Sequence, residues 1–303
     1  MMNCIFGIDI GGTEIKIGKF HYDKLLLKTS IKTDVSDQGK RILADVFNKI
    51  DELSQGDNIV GIGVGVPGPV VKGVVNGCQN LGWGIVEAEA IIKERYPDAR
   101  VRVLNDANVA AIGEMAAGSA QKYRDFVMVT LGTGIGGGIV INGEVYEGAT
   151  GAGGEIGHIQ ILNAKQRRCN CGKFDCFEKY ASATGLVTTA LELMQGRETK
   201  LHDLEVSSKN IFDLAKTGDE VALAAVNQMV DVLAGTLGNI AAALNPEAFV
   251  IGGGVSKAGS FLLDKLVAKF REVAFYPVAD TEFVLASLGN DAGIYGAAYV
   301  ARK

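Results

Sequence analysis

The chain has 303 residues, of which 48% are hydrophobic and 21% charged, and its formal net charge is −5. This composition is typical of a globular protein, and at about 150 residues per domain the length predicts two domains. The slightly acidic balance, with no long basic run, argues against non-specific nucleic-acid binding. The N-terminus lacks a basic segment, and the most apolar stretch, 229–244, carries Asp231 and Asn239. We therefore expect no signal peptide, no membrane helix and a cytoplasmic protein.

The N-terminal residues predict a β-hairpin with a glycine tip. Apolar runs at 4–10, 15–20 and 25–32 indicate strands, and Gly11-Gly12-Thr13, the first glycine tip, indicates a turn. Backbone N–H groups at such a tip can receive phosphate oxygens, and a missing Cβ lets a phosphate approach closely. Asp9, just before the tip, could hold Mg²⁺ there. A plain hairpin with a turn-capping Asp is the alternative interpretation.

The next elements include one loop of interest. The pattern predicts a helix over 40–53, a buried strand over 59–66, a helix over 87–96 and a strand over 101–104. The loop 79–83 places Asn80 near Trp83, the only tryptophan. Sugar sites often combine a hydrogen-bonding amide with an aromatic wall, so this loop weakly suggests a sugar contact.

A polar cluster, Asn105-Asp106-Ala107-Asn108, follows the 101–104 strand and precedes an alanine-rich helix expected over 109–117. One of these residues is expected to be the helix N-cap, since Asp and Asn are favoured there. A single cap does not require three polar residues. Open α/β sheets place catalytic groups at the carboxyl ends of strands, which makes Asp106 a candidate functional carboxylate.

The first hairpin has a counterpart about 120 residues later, which suggests internal duplication. A strand is predicted over 126–131, then a glycine-rich tip over 132–138, a strand over 139–141, a turn at Asn142-Gly143 and a strand over 145–146. The segment contains no G-x-x-x-x-G-K-[ST] motif, so it is not a P-loop. Two tips of one design are stronger evidence for nucleotide phosphates than either alone.

The remaining chain predicts further alternation of helices and strands. Helices are expected over 184–194, 221–244, 261–272 and 291–302, with strands at 249–251 and 284–285. Asn245-Pro246 ends the second of these helices. Gly253 and Gly254 lie in a glycine turn between a strand and a helix. Such a turn could hold a nucleotide's phosphates or base against the helix N-terminus.

The cysteine segment, residues 151–178, contains three of the five cysteines and one of the three histidines. Cys169, Cys171, Cys176 and His158 match the closed tetrahedral set of structural zinc rather than catalytic zinc. A disulfide fits poorly with a reducing cytosol, and three unrelated cysteines are the remaining alternative. Fixing these ligands also fixes Glu155 and Glu178, whose carboxylates could accept hydrogen bonds from sugar hydroxyls. One of them could instead be a partner of the ligands or a surface charge.

Six segments together resemble the ROK family (repressor, open reading frame, kinase) of sugar kinases. They are GIDIGGTEIKIG, LNDANVAAIGE, TLGTGIGGGIV, GAGGEIGHI, CNCGKFDCFE and VIGGGVS, and the resemblance runs from Gly7 to Ala298. It implies an α/β fold of the actin-like ATPase (ribonuclease H-like) type, duplicated, with two lobes around a cleft. The small lobe would comprise 1–117, rejoined by the C-terminal helix 290–303, and the large lobe, with the zinc-binding cysteine segment, 118–289.

The resemblance also implies roles for individual residues. Asp106 would be the general base that takes the proton of a hexose 6-hydroxyl as that hydroxyl attacks the γ-phosphate of ATP. The sugar hydroxyls would be held by Asn80, Asn105, Asp106, Glu155, His158 and Glu178. The nucleotide and Mg²⁺ would be held by Asp9, Gly11, Gly12, Thr13, Lys16, Gly132, Thr133, Gly134, Gly253 and Gly254. Structural Zn²⁺ would be held by His158, Cys169, Cys171 and Cys176, and the family implies a homodimer.

The segments QNLGW, ASATG and LGNDAG are most similar to bacterial ATP-dependent glucokinases, which favours glucose as the substrate. N-acetylmannosamine kinase, or another hexose kinase of the family, is the alternative. A sugar-responsive repressor would need an N-terminal DNA-binding domain, and the first glycine hairpin begins at residue 7. A structural or chaperone ATPase fits poorly with a loop suited to a small polyol.

One residue departs from the family pattern. The family usually has glycine just before the last zinc cysteine, and this chain has Asp175. If the position requires a positive φ, Asp tolerates it better than most residues. We therefore expect a small local change and retention of the metal.

Overall fold

The computed structural model describes residues 2–161 and 166–302. The strands in chain order are β1 (Asn3–Ile10), β2 (Glu14–His21), β3 (Lys24–Lys32), β4 (Asn58–Val66), β5 (Val70–Val71), β6 (Val74–Cys78), β7 (Trp83–Val86), β8 (Arg100–Asn105), β9 (Phe126–Leu131), β10 (Ile135–Ile141), β11 (Glu144–Val145), β12 (Ala248–Gly252) and β13 (Glu282–Leu285). The helices are α1 (Ile42–Ser54), α2 (Ala88–Arg95), α3 (Asp106–Ala117), α4 (Glu178–Ala181), α5 (Ala183–Leu193), α6 (Ser208–Lys216), α7 (Glu220–Leu244), α8 (Ser260–Val273) and α9 (Ala292–Arg302). Every strand and helix predicted from periodicity is present within a few residues of its expected position.

The chain forms two compact units. The first comprises Met1–Arg124, Gly138–Gly154 and Ser287–Lys303, and the second Asp125–Gly137 and Glu155–Ala286. The predicted lobe boundaries, after residues 117 and 289, stay a prediction. The compact units differ from them most clearly at 138–154, which belongs to the first unit.

The first unit is organised around β1. Its sheet has the order β3-β2-β1-β4-β8, with β1 antiparallel to β2 and parallel to β4. Six of the eight β1 residues are buried, as expected for a central apolar strand. Parallel β4 and β8 both end at the edge where the β1–β2 turn lies, because Val66 pairs with Asn105 and Asp9 pairs with Gly65. This register brings the end of β8 and the first glycine tip to the same edge.

Helix α9 packs directly on the sheet because glycines leave room for its backbone. A Cβ built on Gly7 would lie 2.0 Å from the Ile294 carbonyl oxygen, and one on Gly63 would lie 1.8 Å from that of Ala297. Neither position can accept a side chain without moving the helix. The C-terminal helix is therefore an integral part of the first unit.

A small second sheet in the first unit was not predicted. Strands β5, β6 and β7 pair in that order, within a region where the sequence indicated only loops. Trp83 begins β7, is 7% exposed and donates from Nε1 to the Gly39 carbonyl at 3.1 Å. The suggestion of a sugar-facing tryptophan is therefore wrong, because this ring belongs to the hydrophobic core.

The other five-stranded sheet repeats the design of the sheet around β1. Its order is β11-β10-β9-β12-β13, with β9 parallel to β12 and β12 parallel to β13. The internal duplication expected from the sequence is thus confirmed as a repeated strand order. Helices α4 to α8 belong to the second unit together with β9, β12 and β13.

The predicted second tip was too long. Strand β10 begins at Ile135, so the tip is Gly132–Gly134, and Gly136–Gly138 lie within the strand. A Cβ on Gly138 would lie 2.9 Å from the Ala107 carbonyl oxygen and 2.6 Å from the Ala111 Cβ. This glycine therefore permits close packing of α3 on the strand. The turn at Asn142-Gly143 is confirmed, with positive φ at both residues.

Helix α7 has 25 residues and, among the helices in the described parts of the chain, is the one long and apolar enough to cross a membrane. The helix is longer than its most apolar stretch, 229–244, and begins at Glu220. Of its most apolar window, 61% is buried within the protein, as in a core helix. Asn245 ends the helix in the left-handed conformation, just before Pro246.

Candidate active site

In the first unit, Asp9 lies at the end of β1, next to the first glycine tip. Its carboxylate pairs across the hairpin with Lys16, at 3.6 Å between Oδ2 and Nζ. Burial raises the pKa of Asp9 above its usual value, and the nearby ammonium of Lys16 opposes this rise. A half-buried carboxylate beside a glycine turn is a suitable ligand for a hard cation such as Mg²⁺. The predicted association of Asp9, Lys16 and the tip is therefore present.

Hydrogen bonds from Thr33 hold both ends of the first glycine tip. The Thr33 hydroxyl donates to the Gly11 carbonyl at 2.6 Å, and the Thr33 amide donates to the Thr13 carbonyl at 3.0 Å. A Cβ on Gly12 would lie 3.3 Å from the Asn80 carbonyl oxygen. Asn80 is exposed in a short 3₁₀ helix, Gln79–Leu81. The structure therefore brings Asn80 to the first glycine tip.

At the end of β8, the structure shows which polar residue caps α3, a question that the sequence left open. Asn105 is the N-cap of α3: its Oδ1 accepts from the amides of Ala107 at 2.9 Å and Asn108 at 3.2 Å. Its Nδ2 donates to the Gly68 carbonyl at 3.1 Å, and the residue is 9% exposed. Asp106 is the first residue of α3, is half-buried and accepts from the Ala107 amide at 2.8 Å. Because Asn105 fulfils the capping role, Asp106 is the better candidate for chemistry.

In the second unit, the four predicted metal ligands converge. The ligand atoms of His158, Cys169, Cys171 and Cys176 all lie within 4.8 Å of one another. Cys171 Sγ is 3.5 Å from Cys176 Sγ, and Cys169 Sγ is 3.7 Å from His158 Nδ1. Four ligands at about 2.0–2.3 Å from one tetrahedral zinc ion require spacings of this size. A disulfide would need sulfur atoms about 2.05 Å apart.

The close approach of the three thiols also favours a bound cation. Burial and the two neighbouring thiols raise the pKa of Cys176 to about 12. Several thiolates this close repel one another, and a divalent cation removes that repulsion. The donor set and its geometry therefore fit structural zinc.

Two further carboxylates in the second unit, Glu155 and Glu178, are positioned beside the ligand cluster. Glu155 Oε2 lies 4.0 Å from His158 Nε2, the ring nitrogen opposite the one that faces Cys169. Both side chains are more than a third exposed. Glu178, the first residue of α4, is half-buried, and its Oε1 lies 3.2 Å from Cys169 Sγ. The segment thus presents Glu155, His158 and Glu178 from a single ligand cluster.

Asp175 adopts the left-handed conformation anticipated for it, with φ +57°. The side chain is buried and its Oδ1 accepts from the Arg167 amide at 2.8 Å and from the Tyr180 hydroxyl. Burial, reinforced by this hydrogen bond, raises the pKa of Tyr180 to about 12. The positive φ of Asp175 agrees with the expectation, and the hydrogen-bond network was not predicted.

Arg167 extends the network to two helices. Its guanidinium lies 4.4 Å from the centre of the Tyr180 ring and donates to the Lys179 carbonyl and to Glu192, each at 2.8 Å. These contacts join the cysteine segment to α4 and α5. An Arg eight residues before Asp175 carries no signal that could have revealed this network before folding.

We expect Tyr180→Phe to lower the free energy of unfolding by about 1–3 kcal/mol, because the buried Asp175 loses one of its donors. This should appear as a Tm several degrees lower in thermal unfolding. The matched control is Tyr276→Phe, at a tyrosine that is 83% exposed in the same unit. Equal Tm values for the two variants would contradict the role given to the hydroxyl.

The second glycine tip and the Gly253 turn meet in the second unit. Gly253 has φ +84°, and a Cβ on it would lie 2.5 Å from the Leu131 carbonyl oxygen, just before the tip. The tip is closed by a hydrogen bond of 3.0 Å from the Gly132 amide to the Gly134 carbonyl. The glycine turn does not lead directly into α8 as predicted, because a 3₁₀ helix, Gly254–Ala258, comes between them. The two predicted glycine segments are nevertheless neighbours.

Comparisons with known proteins cover the whole chain. The ROK family model matches residues 5–303. The glucokinase of Halalkalibacterium halodurans is 37% identical over 98% of this chain and 94% of its own length. A ROK family glucokinase from Streptomyces griseus, solved with glucose and AMPPNP, has a TM-score of 0.81 at 31% identity and 99% coverage of both chains. A ROK family transcriptional regulator, a homologue of the E. coli MLC protein, has a TM-score of 0.89 at 26% identity, over 100% of this chain and 78% of the regulator.

Proposed function

The chain belongs to the ROK family, and from this premise we propose that it is an ATP-dependent glucokinase. It transfers the γ-phosphoryl group of ATP to the 6-hydroxyl of glucose. The observation that carries the proposal is the full-length similarity to a glucokinase solved with glucose and an ATP analogue. Glucose, rather than another hexose, is supported by the name of the 37% identical relative.

In the proposed reaction, Asp106 is the general base. As the glucose O6 attacks, a bond forms between O6 and the γ-phosphorus, and the bond from that phosphorus to the β–γ bridging oxygen breaks. The hydroxyl proton goes to the Asp106 carboxylate, and ADP leaves. The position of this carboxylate at the start of α3, at the carboxyl end of β8, supports the assignment. A positioned base of this kind contributes about 10² to 10⁴ in rate.

The remaining predicted groups position the two substrates. Asn80, Asn105, Glu155, His158 and Glu178 are proposed to hold the sugar hydroxyls. For Asn105 only the second Nδ2 hydrogen remains available, because its other groups cap α3 and contact Gly68. Phosphoryl transfer depends mainly on such positioning and on charge neutralisation.

Two metals have separate proposed roles. Zinc, held by His158, Cys169, Cys171 and Cys176, would supply structural order to the cysteine segment and takes no part in the reaction. Mg²⁺ near Asp9 would neutralise phosphate charge. The glycine residues of the two tips and of the Gly253 turn leave room for the phosphates and adenosine of ATP, and Lys16 adds a positive charge beside the first tip.

The test is ATP consumption with glucose, mannose, fructose, N-acetylglucosamine and N-acetylmannosamine as acceptors. Glucose should give the largest kcat/KM. A larger value with N-acetylmannosamine or another hexose would refute the choice of substrate but retain the kinase. No turnover with any sugar, together with sugar-dependent binding to DNA, would favour a regulator of the kind that shares this fold.

We also propose that the enzyme is a cytoplasmic homodimer that does not bind nucleic acid. The family resemblance is the support for dimerisation, and light scattering coupled to gel filtration measures it directly. A monomeric mass across a range of concentrations would refute the dimer without affecting the proposed chemistry.

A further inference from the structure

The second glycine tip contacts a carboxylate that the proposed function assigns to the sugar. A Cβ built on Gly134 would lie 2.5 Å from Glu178 Oε2, while ordinary heavy-atom contacts begin near about 3.5 Å. The backbone of Gly134 has no positive φ, so an alanine there would meet no conformational penalty. Among the described residues, the obstacle to a methyl group is therefore the end of the Glu178 side chain.

The tip cannot easily move away from that contact. Its own closing bond joins the Gly132 amide to the Gly134 carbonyl. The Gly132 carbonyl in turn accepts from the Ala183 amide at 2.9 Å, where α5 begins, just beyond α4. The backbone of the tip is thus fixed to the same helical segment that carries Glu178. A methyl group on Gly134 would move the flexible carboxylate by about 1 Å and leave the backbone in place.

If the Glu178 carboxylate moves away from the tip, it loses its contact with the ligand cluster. Its other oxygen, Oε1, is 3.2 Å from Cys169 Sγ in the ligand cluster. Glu178 therefore lies between the cluster on one side and the second glycine tip on the other. Its orientation depends on both.

We propose that Gly134 is a positioning residue for Glu178, so that a loop assigned to nucleotide phosphates also determines hexose affinity. This inference rests on the proposed function, in which Glu178 binds the sugar. Its distinctive consequence is an effect on glucose binding when no nucleotide is present. A role confined to phosphate binding would leave that affinity unchanged.

The test is calorimetric titration of glucose into the nucleotide-free protein. Gly134→Ala should weaken the glucose Kd at least about tenfold, because a charge-assisted hydrogen bond to the sugar is displaced. The matched control is Gly235→Ala in α7 of the same unit, where a new Cβ would meet no described atom within 4 Å. Its glucose Kd should stay within about twofold of the unmodified protein.

A second comparison isolates the contact. In a Glu178→Asp background the carboxylate is one methylene shorter and no longer reaches the tip, so adding Gly134→Ala should change the glucose Kd less than about twofold. Zinc content, measured by metal analysis, should be the same in all variants. Equal glucose affinity for Gly134→Ala and Gly235→Ala, or loss of zinc from Gly134→Ala, would overturn the inference. Absence of glucose binding by the unmodified protein would instead overturn the proposed function.

Discussion

The Asp106→Asn variant is expected to lose about 10² to 10⁴ in kcat while its glucose Kd stays within about threefold. Asparagine keeps the size of the side chain and can still accept the hydrogen bond from the Ala107 amide. It cannot accept the proton that the 6-hydroxyl must release. The loss should therefore appear in turnover, measured by a coupled ADP assay, and not in calorimetric titration of glucose.

The structure offers a matched control in Asp98→Asn, the same chemical change at an exposed aspartate outside the candidate site. Its kcat should be unchanged. A near-normal rate for Asp106→Asn would remove the carboxylate from the role of base. Loss of glucose binding together with rate would mean that Asp106 mainly holds the sugar.

The second large effect is expected from removing one thiol of the ligand cluster. Cys171→Ser should reduce bound zinc from about one ion per chain to near zero, because a hydroxyl is a far weaker ligand than a thiolate. Structural zinc contributes on the order of 10 kcal/mol to the folding of its loop. Without it, Glu155, His158 and Glu178 lose their common support, and the glucose Kd should rise by more than about 100-fold.

A second thiol variant separates loss of metal from general loss of a cysteine. Cys4→Ala removes a buried thiol from β1, outside the cluster, and should retain both zinc and glucose affinity. Metal analysis and calorimetry on the same preparations give both readouts. A zinc-free native protein, or a Cys171→Ser variant that binds glucose normally, would refute the structural role of the metal.

Strong periodic signals account for most of what the sequence predicted correctly. Long periodic patterns are unambiguous, and those of β1, β4, β9 and α7 form strands and a helix where expected. The small sheet of β5 to β7 was missed because strands of two, five and four residues have too few positions for a period to show. Trp83 was misplaced for a related reason, since its burial depends on Gly39, which is 44 residues away in the chain.

In the candidate site, too, local patterns were predicted correctly and contacts between distant residues were missed. The cysteine spacing and the glycine tips are clear chemical signals in the sequence, and the structure brings the four predicted metal ligands together. Which of Asn105 and Asp106 caps α3 could not be read from composition, because both residue types are good caps. The Arg167–Asp175–Tyr180 network and the contact of Gly134 with Glu178 join residues whose local sequences carry no mutual pattern.

The sequence by itself determined the positions of the long strands and helices, the duplication, the cluster of His158 with three cysteines and the likeness to sugar kinases, because each depends on residue type at a fixed spacing. The tertiary structure alone decided that Asn105, and not Asp106, caps α3. It also decided which glycines serve packing, as Gly138 does, and which leave room for a carboxylate, as Gly134 does. These outcomes depend on distances between atoms far apart in the chain, and those distances are set only when the core packs.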